Sequence, residues 1–311
     1  MLISRRTALL GTLAAAALAS GPGFAQTATP LPVVASFSIL ADLVREVGGD
    51  RVSVKALVGP NGDAHVYQPT PADAQSLAAA RLVVINGLGL EGWMTRLVKA
   101  TGGKAPTVTA TKGVPTIEAE DEHDHDHGAK KPGAAPSADP HAWQSIANAK
   151  IYVANIRDGL IQADPAGAAD YTARATTYLA RLDALEGEVK AAVARIPADR
   201  RKIITTHDAF GYFGRAYGMA FISPQGVSTE TEASAKDVAR IIRQIRAEKI
   251  PAVFLENVSD PRLMDRIAKE TGARIGGRLY SDALSAQDGP AGTYIDMMRS
   301  NIRELGAALS S

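Results

Sequence analysis

The 311-residue chain has no cysteine. That absence excludes a disulfide, so the fold must rest on its apolar core. It also excludes thiolate ligands, so any metal site draws on nitrogen and oxygen. With no thiol to accept lipid after an export signal, a free mature protein is expected rather than a tethered one. Net charge is also scarce, with 34 basic residues against 33 acidic ones. Taking Arg5 and Arg6 away with the leader described below leaves 32 against 33, or −1. No basic footprint for nucleic acid or anionic lipid exists. Long apolar runs are missing apart from one at the N-terminus.

That run is an export signal. Ser4-Arg5-Arg6-Thr7 opens it, an apolar stretch from Ala8 to Ala19 follows, and Gly23-Phe24-Ala25 supplies small residues for cleavage. It is too short and too rich in Gly and Ala for a stable membrane span. The paired arginines suit the twin-arginine route, but Ala8 stands where that signal prefers Phe, so the general route stays open. Residues 1–25 are read as signal peptide and Gln26 as the mature start, with the periplasm as destination. Roughly 285 mature residues suit one large or two medium domains.

Histidine is the remaining scarcity, and its placement is informative. Three of the six stand alone beside a carboxylate, in Asp63-Ala64-His65, Asp139-Pro140-His141 and His207-Asp208. The other three, His123, His125 and His127, alternate with acids in a run holding six carboxylates between Glu118 and Asp126. Neutral imidazole is the commonest protein ligand for zinc-like metals. A transition-metal protein is the working expectation.

Strand-like and helix-like stretches alternate along the chain. Val33–Ser36, Val52–Val58 and Leu82–Ile85 read as strands, with a helix between the first two and another opened by Pro71. Lys202–Thr206, Ala252–Leu255 and Arg274–Leu279 repeat the theme, with helices at about 234–249 and from Pro261 to Thr271. Such alternation predicts parallel α/β sheets covered on both faces. From Asp164-Pro165, read as an N-cap with proline at the first helical position, to Arg195, apolar residues recur every three or four. A helix that long predicts a strut between an N-terminal lobe (26–163) and a C-terminal lobe (197–311), itself spanning 164–196. Residues about 116–138 carry almost no large apolar side chain and are read as a mobile loop.

On this map His65, His141 and His207 each follow a strand or loop edge, where open parallel sheets bind ligands. Asp282 ends the last strand of the second lobe. Taken alone, Asp282 reads more simply as a cap for the next turn. Joined to the three imidazoles, it completes a tetrahedral set suited to zinc. Asp63, Asp139, Asp208 and Glu256 are either partners that orient an imidazole or ordinary turn and strand-end carboxylates. The loop histidines 123, 125 and 127 predict weaker, labile metal binding.

The motifs Ala35-Ser-Phe-Ser-Ile-Leu-Ala-Asp42, Asp63-Ala-His65-Val-Tyr-Gln-Pro-Thr-Pro71, Asn86-Gly87-Leu-Gly-Leu-Glu91-Gly-Trp93, Asp139-Pro-His141-Ala-Trp143, Thr206-His207-Asp-Ala-Phe-Gly-Tyr-Phe213 and Leu279-Tyr-Ser-Asp282 together carry a family resemblance. The chain resembles the substrate-binding proteins of zinc and manganese ABC importers (the ZnuA/TroA type), most closely the AztC branch. The resemblance implies two Rossmann-like lobes joined by a long rigid helix, with metal between them. It places His65, His141, His207 and Asp282 on the family's four ligand positions, and His207 argues for Zn2+ because manganese carriers usually have Glu there. It further implies an ABC-type permease with a cytoplasmic ATPase as partner. A zinc metallochaperone is a further candidate partner, and a monomer is expected.

Three other readings compete. A manganese or iron carrier keeps the fold and changes the ion. A secreted zinc hydrolase needs an open coordination position, and no H-E-x-x-H pair supports one. A zinc buffer or adhesin keeps the site and drops the transporter.

Overall fold

A computed structural model describes residues 29–119 and 137–310. The leader and the histidines 123, 125 and 127 lie outside the described residues. Chain order runs β1 (Leu31–Phe37), α1 (Ser38–Gly48), β2 (Val52–Val58), α2 (Pro71–Ala79), β3 (Leu82–Ile85), α3 (Met94–Thr101) and β4 (Thr107–Thr109). Two long helices follow, α4 (Ile146–Ala163) and α5 (Ala168–Ala194). The second half contains β5 (Lys202–Ile204), α6 (Gly211–Tyr217), β6 (Ala220–Ile222), α7 (Ala235–Glu248), β7 (Ala252–Glu256), α8 (Arg262–Thr271), β8 (Arg274–Leu279) and α9 (Tyr294–Leu309).

The two halves build the same sheet twice. The first has strand order β2-β1-β3-β4 and the second β6-β5-β7-β8, and every pairing is parallel. Two α/β lobes with a long helix between them is thus the observed architecture, as the alternating pattern predicts. The central strands β1, β3 and β7 are mostly apolar and buried, as strands covered by helices on both faces are. Opposite the paired order, β8 bulges against β7 between Val253 and Leu255, and Gly277 there takes φ 117, a conformation side chains disfavour.

Local signals explain the helix ends. Thr70 and Asp73 form a reciprocal capping box with Pro71 at the first helical position of α2. Ser234 and Thr293 cap α7 and α9 by accepting from backbone N–H groups three residues on. The start of the long helix refines one expectation. Asp164 is the N-cap residue with Pro165 at the first position, but of a 3-10 turn, Pro165–Gly167, that runs into α5 at Ala168, and its side chain makes no capping bond. The Asp164 carboxylate instead accepts from Arg51 Nη2 at 2.9 Å and Tyr171 Oη at 2.8 Å, tying the α4–α5 corner to the end of α1.

The predicted stripe on α5 is buried: Tyr171, Ala175, Tyr178, Leu182, Leu185, Val189 and Val193 all face inward. At 27 residues the helix extends roughly 40 Å. It packs on α1, α4 and α9, and one apolar core runs continuously through these helices into both sheets. A smaller core of Ile204, Val238, Ile241, Ile245, Val253, Met264 and Ile267 sits separately between the second sheet and α7 and α8. Of the segment 116–138 read as a mobile loop, the described residues 118–119 and 137–138 are paired with one another. Glu118 bridges Ala138, and Ala119 N–H donates to Ser137 O at 2.8 Å. Among the described residues, no helix is long and apolar enough to cross a membrane.

Candidate metal centre

His65, His207 and Asp282 sit on segments that follow strands, His141 sits just before the 3-10 turn Ala142–Gln144, and each segment is held by its own hydrogen bonds. His65 lies in the turn after β2. Asp63 Oδ1 accepts the His65 backbone N–H at 2.8 Å, while Trp93 Nε1 donates to Ala64 O at 2.8 Å. The second Asp63 oxygen accepts the Thr229 hydroxyl at 2.6 Å, a bond that reaches across to the other half of the chain.

His141 is fixed more tightly. Asp139 Oδ1 accepts the His141 backbone N–H at 2.9 Å and lies 2.8 Å from its ring Nδ1. Asn86, at the end of β3, donates to Pro140 O at 2.9 Å and accepts from Tyr152 Oη at 2.6 Å. Glu91 completes this support, accepting from Ser36 Oγ and the Asn86 backbone N–H at 2.6 Å each. Burial is the main influence raising the Glu91 carboxyl above its ordinary value, and these donors oppose it.

His207 follows β5 and leans on Glu256 at the end of β7. Glu256 Oε1 accepts the Thr206 and His207 backbone N–H groups at 2.7 and 3.0 Å. Its Oε2 lies 2.5 Å from His207 Nδ1. Asp282 follows β8, but its loop is gripped mainly from the first half. Trp143 Nε1 and Gln144 Nε2 donate to Ser281 O at 2.9 and 2.8 Å. Asn61 N–H donates to Leu284 O at 2.9 Å, and Leu284 N–H donates to Ser38 Oγ at 3.0 Å.

These four segments converge. One ligand atom from each of His65, His141, His207 and Asp282 lies within 4.8 Å of all the others. His65 Nε2 is 3.2 Å from His141 Nε2 and 3.3 Å from Asp282 Oδ2. His207 Nε2 is 3.0 Å from Asp282 Oδ2, and His141 Nε2 is 3.5 Å from Asp282 Oδ1. His141, His207 and Asp282 are fully buried, and His65 is 7 % exposed. Every imidazole therefore turns Nε2 inward. A cavity of about 480 Å³ is lined by Asp63 and Thr206, chain neighbours of the cluster, and by Thr229, Glu232 and Asp260 among others, but by none of the four cluster residues.

The electrostatics of the metal-free cluster follow from that crowding. Burial alone would lower the His141 imidazole, but the Asp282 and Asp139 carboxylates outweigh it and push it up to about 9. For His207, burial is again opposed and overcome, here by Glu256 and Asp282, and the ring rises well above its ordinary value. Asp282 feels burial upward, yet His207 and His141 hold it well below the usual carboxylate range.

The sequence of residues 33–308 matches the family described as zinc-uptake complex component A, periplasmic (ZnuA). The chain belongs to the ZnuA family. Its members are metal-binding components of ABC importers, so this ZnuA-family chain is an exported, metal-binding substrate-binding protein and not an enzyme. It is 33 % identical over 302 residues to the manganese-binding lipoprotein MntA of Halalkalibacterium halodurans, covering 97 % of this chain and 96 % of that one. It is 32 % identical to the iron-binding protein YfeA of Yersinia pestis, covering 96 % and 94 % of the two chains. Among solved structures, the periplasmic zinc binding protein TroA of Treponema pallidum superposes with a TM-score of 0.81 at 32 % identity, covering 91 % of this chain and 99 % of that one.

The carboxylates left open by the sequence differ in what they hold. Asp139 and Glu256 each back an imidazole Nδ1, whereas Asp63 holds the His65 backbone rather than its ring. Asp208 enters through its backbone N–H, which donates to Gly226 O at 3.0 Å. Sequence reasoning assigned no role to Asn86, Glu91, Trp93, Trp143 or Gln144. Their signal was a polar or indole side chain just past a strand end or ligand turn, whose partner is distant in the chain.

Proposed function

We propose that this protein captures Zn2+ in the cleft through His65, His141, His207 and Asp282 and delivers it to an ABC-type permease driven by a cytoplasmic ATPase. The observation that carries this reading is the convergence of three buried Nε2 atoms on one buried carboxylate. His65 and His141 face each other nitrogen to nitrogen at 3.2 Å, where at most one proton can be shared. Asp282 Oδ1 is buried and accepts no hydrogen bond. A divalent cation satisfies both oddities at once. Three borderline imidazoles with a single hard carboxylate suit zinc better than manganese.

The reading extends to the rest of the chain. The lobes divide at 26–163 and 197–311 around a 164–196 linker, and the mature protein is a free periplasmic monomer. His123, His125 and His127 form an auxiliary labile site that accepts zinc from solution or from a metallochaperone. Elemental analysis of the protein as purified tests the ion: one zinc per chain is expected, and stoichiometric manganese or iron would overturn the choice. Deleting residues 118–128 should leave the cleft affinity unchanged while slowing capture from a protein donor; unchanged capture would remove the loop's role.

A second reading, manganese or iron, draws on a specific observation. Both Asp282 oxygens approach the imidazoles, Oδ2 at 3.0 and 3.3 Å and Oδ1 at 3.5 Å. A bidentate carboxylate raises the coordination number beyond four, which harder ions prefer. The names of MntA and YfeA point the same way for those relatives.

A further inference from the structure

The four ligand residues are not equally supported, and the difference falls on the imidazole Nδ1 atoms. An imidazole that ligates through Nε2 must carry its proton on Nδ1, and a carboxylate beside Nδ1 enforces that tautomer. Asp139 does this within its own turn, because a single oxygen serves both the backbone and the ring of His141. Glu256 does it from a different strand, 49 residues away. Its two oxygens divide the work. Oε1 takes the Thr206 and His207 backbone N–H groups, and Oε2 faces Nδ1 of the His207 ring at 2.5 Å. Glu256 is itself buried, with 3 % exposure, and neither Oε2 nor His207 Nδ1 makes a hydrogen bond to any group, so the two atoms meet as a close ion-pair contact with nothing else to satisfy either.

We propose that Glu256 is a positioning residue for metal capture. It locks the His207 turn to the end of β7 with one oxygen and fixes His207 as the Nδ1–H tautomer with the other, so that Nε2 presents its lone pair to the ion. The inference rests on the ligand assignment made above. The chemistry makes the requirement strict. A glutamine at 256 offers one acceptor oxygen where three N–H groups need two. Turned toward the backbone, its amide NH2 faces Nδ1, favours the opposite tautomer and puts a proton on Nε2. Turned toward the ring, the same NH2 faces two backbone N–H groups, and the turn loosens. Either orientation weakens the third imidazole.

The test is a double-mutant cycle on the zinc-free full-length mature protein, with zinc affinity read by competition against a chromophoric chelator. Glu256→Gln is expected to lower zinc affinity by about 10- to 100-fold in the wild-type background. In the His207→Ala background the same substitution is expected to change affinity less than about twofold, because the group it positions is gone. An equal loss in both backgrounds would show that Glu256 acts through general structure and would overturn the proposal, as would no loss in either. Should His207→Ala itself leave zinc binding intact, the ligand assignment fails instead, and the two failures are thereby distinct. A measurement without any variant guards against a folding defect. In the zinc-loaded wild type labelled with 15N-histidine, His207 should show a protonated Nδ1 and a metal-shifted Nε2. A His207 ring ligating through Nδ1 contradicts the proposal.

Discussion

At the scale of single residues, protons and lone pairs decide what the cluster can bind. Three imidazoles and one carboxylate share a space that water barely reaches, and carboxylates behind two of the rings keep protons on them in the metal-free state. His141, pushed up to about 9, is protonated at neutral pH and must release that proton when an ion arrives. Zinc affinity should therefore rise as pH increases from 6 toward 9. Calorimetry in buffers of different ionisation enthalpy should find protons released on binding at pH 7. No pH dependence across that window would contradict the geometry. The same shift has a sign for stability. Because the folded value lies above the ordinary 6.5, His141 stabilises the metal-free fold fully below about pH 6.5, and this contribution is lost as pH rises through about 9. Metal-free protein should melt at a lower temperature at pH 9 than at pH 6.5. Replacing Asp282 by Ala removes a proposed ligand and the carboxylate that raises both His141 and His207. Zinc affinity should fall by more than about 100-fold in chelator competition, while circular dichroism shows the metal-free fold retained. An unfolded variant would mark Asp282 as a structural residue instead.

At the scale of elements, burial patterns decided what the sequence revealed. The α5 stripe and the helix opened by Pro71 were legible because apolar spacing and end signals agreed. The four ligand candidates were legible too, since lone histidines beside carboxylates at strand ends stand out in a chain with so few. Helices α4 and α9 were not picked out. The buried face of α9 includes Ser300 and Asn301, which blur its apolar period, and Asn301 is spent on the Tyr280 backbone at 2.8 and 2.9 Å. Asp164-Pro165 was legible as the start of the helical run, but not the turn of its carboxylate to Arg51 and Tyr171, partners that no local pattern shows. Close packing of α4 against β4 gives a testable case. A Cβ added at Gly159 would lie 2.2 Å from Val108 Cγ2. Gly159→Ala should thus destabilise the protein by about 1–3 kcal/mol in urea unfolding, although alanine favours helix by up to about 1 kcal/mol. A stabilised variant would show that α4 can move off the sheet.

At the scale of the whole molecule, the site is a junction between two similar sheets whose core is largely shared. Asp282 belongs by sequence to the second half, yet Trp143, Gln144, Asn61 and Ser38 bind its loop from the first. His207, by contrast, is fastened to the second sheet through Glu256. None of these cross-chain bonds was legible in the sequence, because each joins residues far apart. An ion that ties His207 to the other three ligands ties the lobes together, so a tightly bound metal should raise the melting temperature. At an excess of 100 times the dissociation constant, the gain should be about 2.7 kcal/mol. The most direct test is a competitive titration of zinc and manganese into metal-free mature protein, beside His207→Ala. The account predicts one zinc bound in strong preference to manganese, with that preference collapsing in the variant. Manganese bound more tightly, or zinc affinity unchanged by His207→Ala, would contradict it.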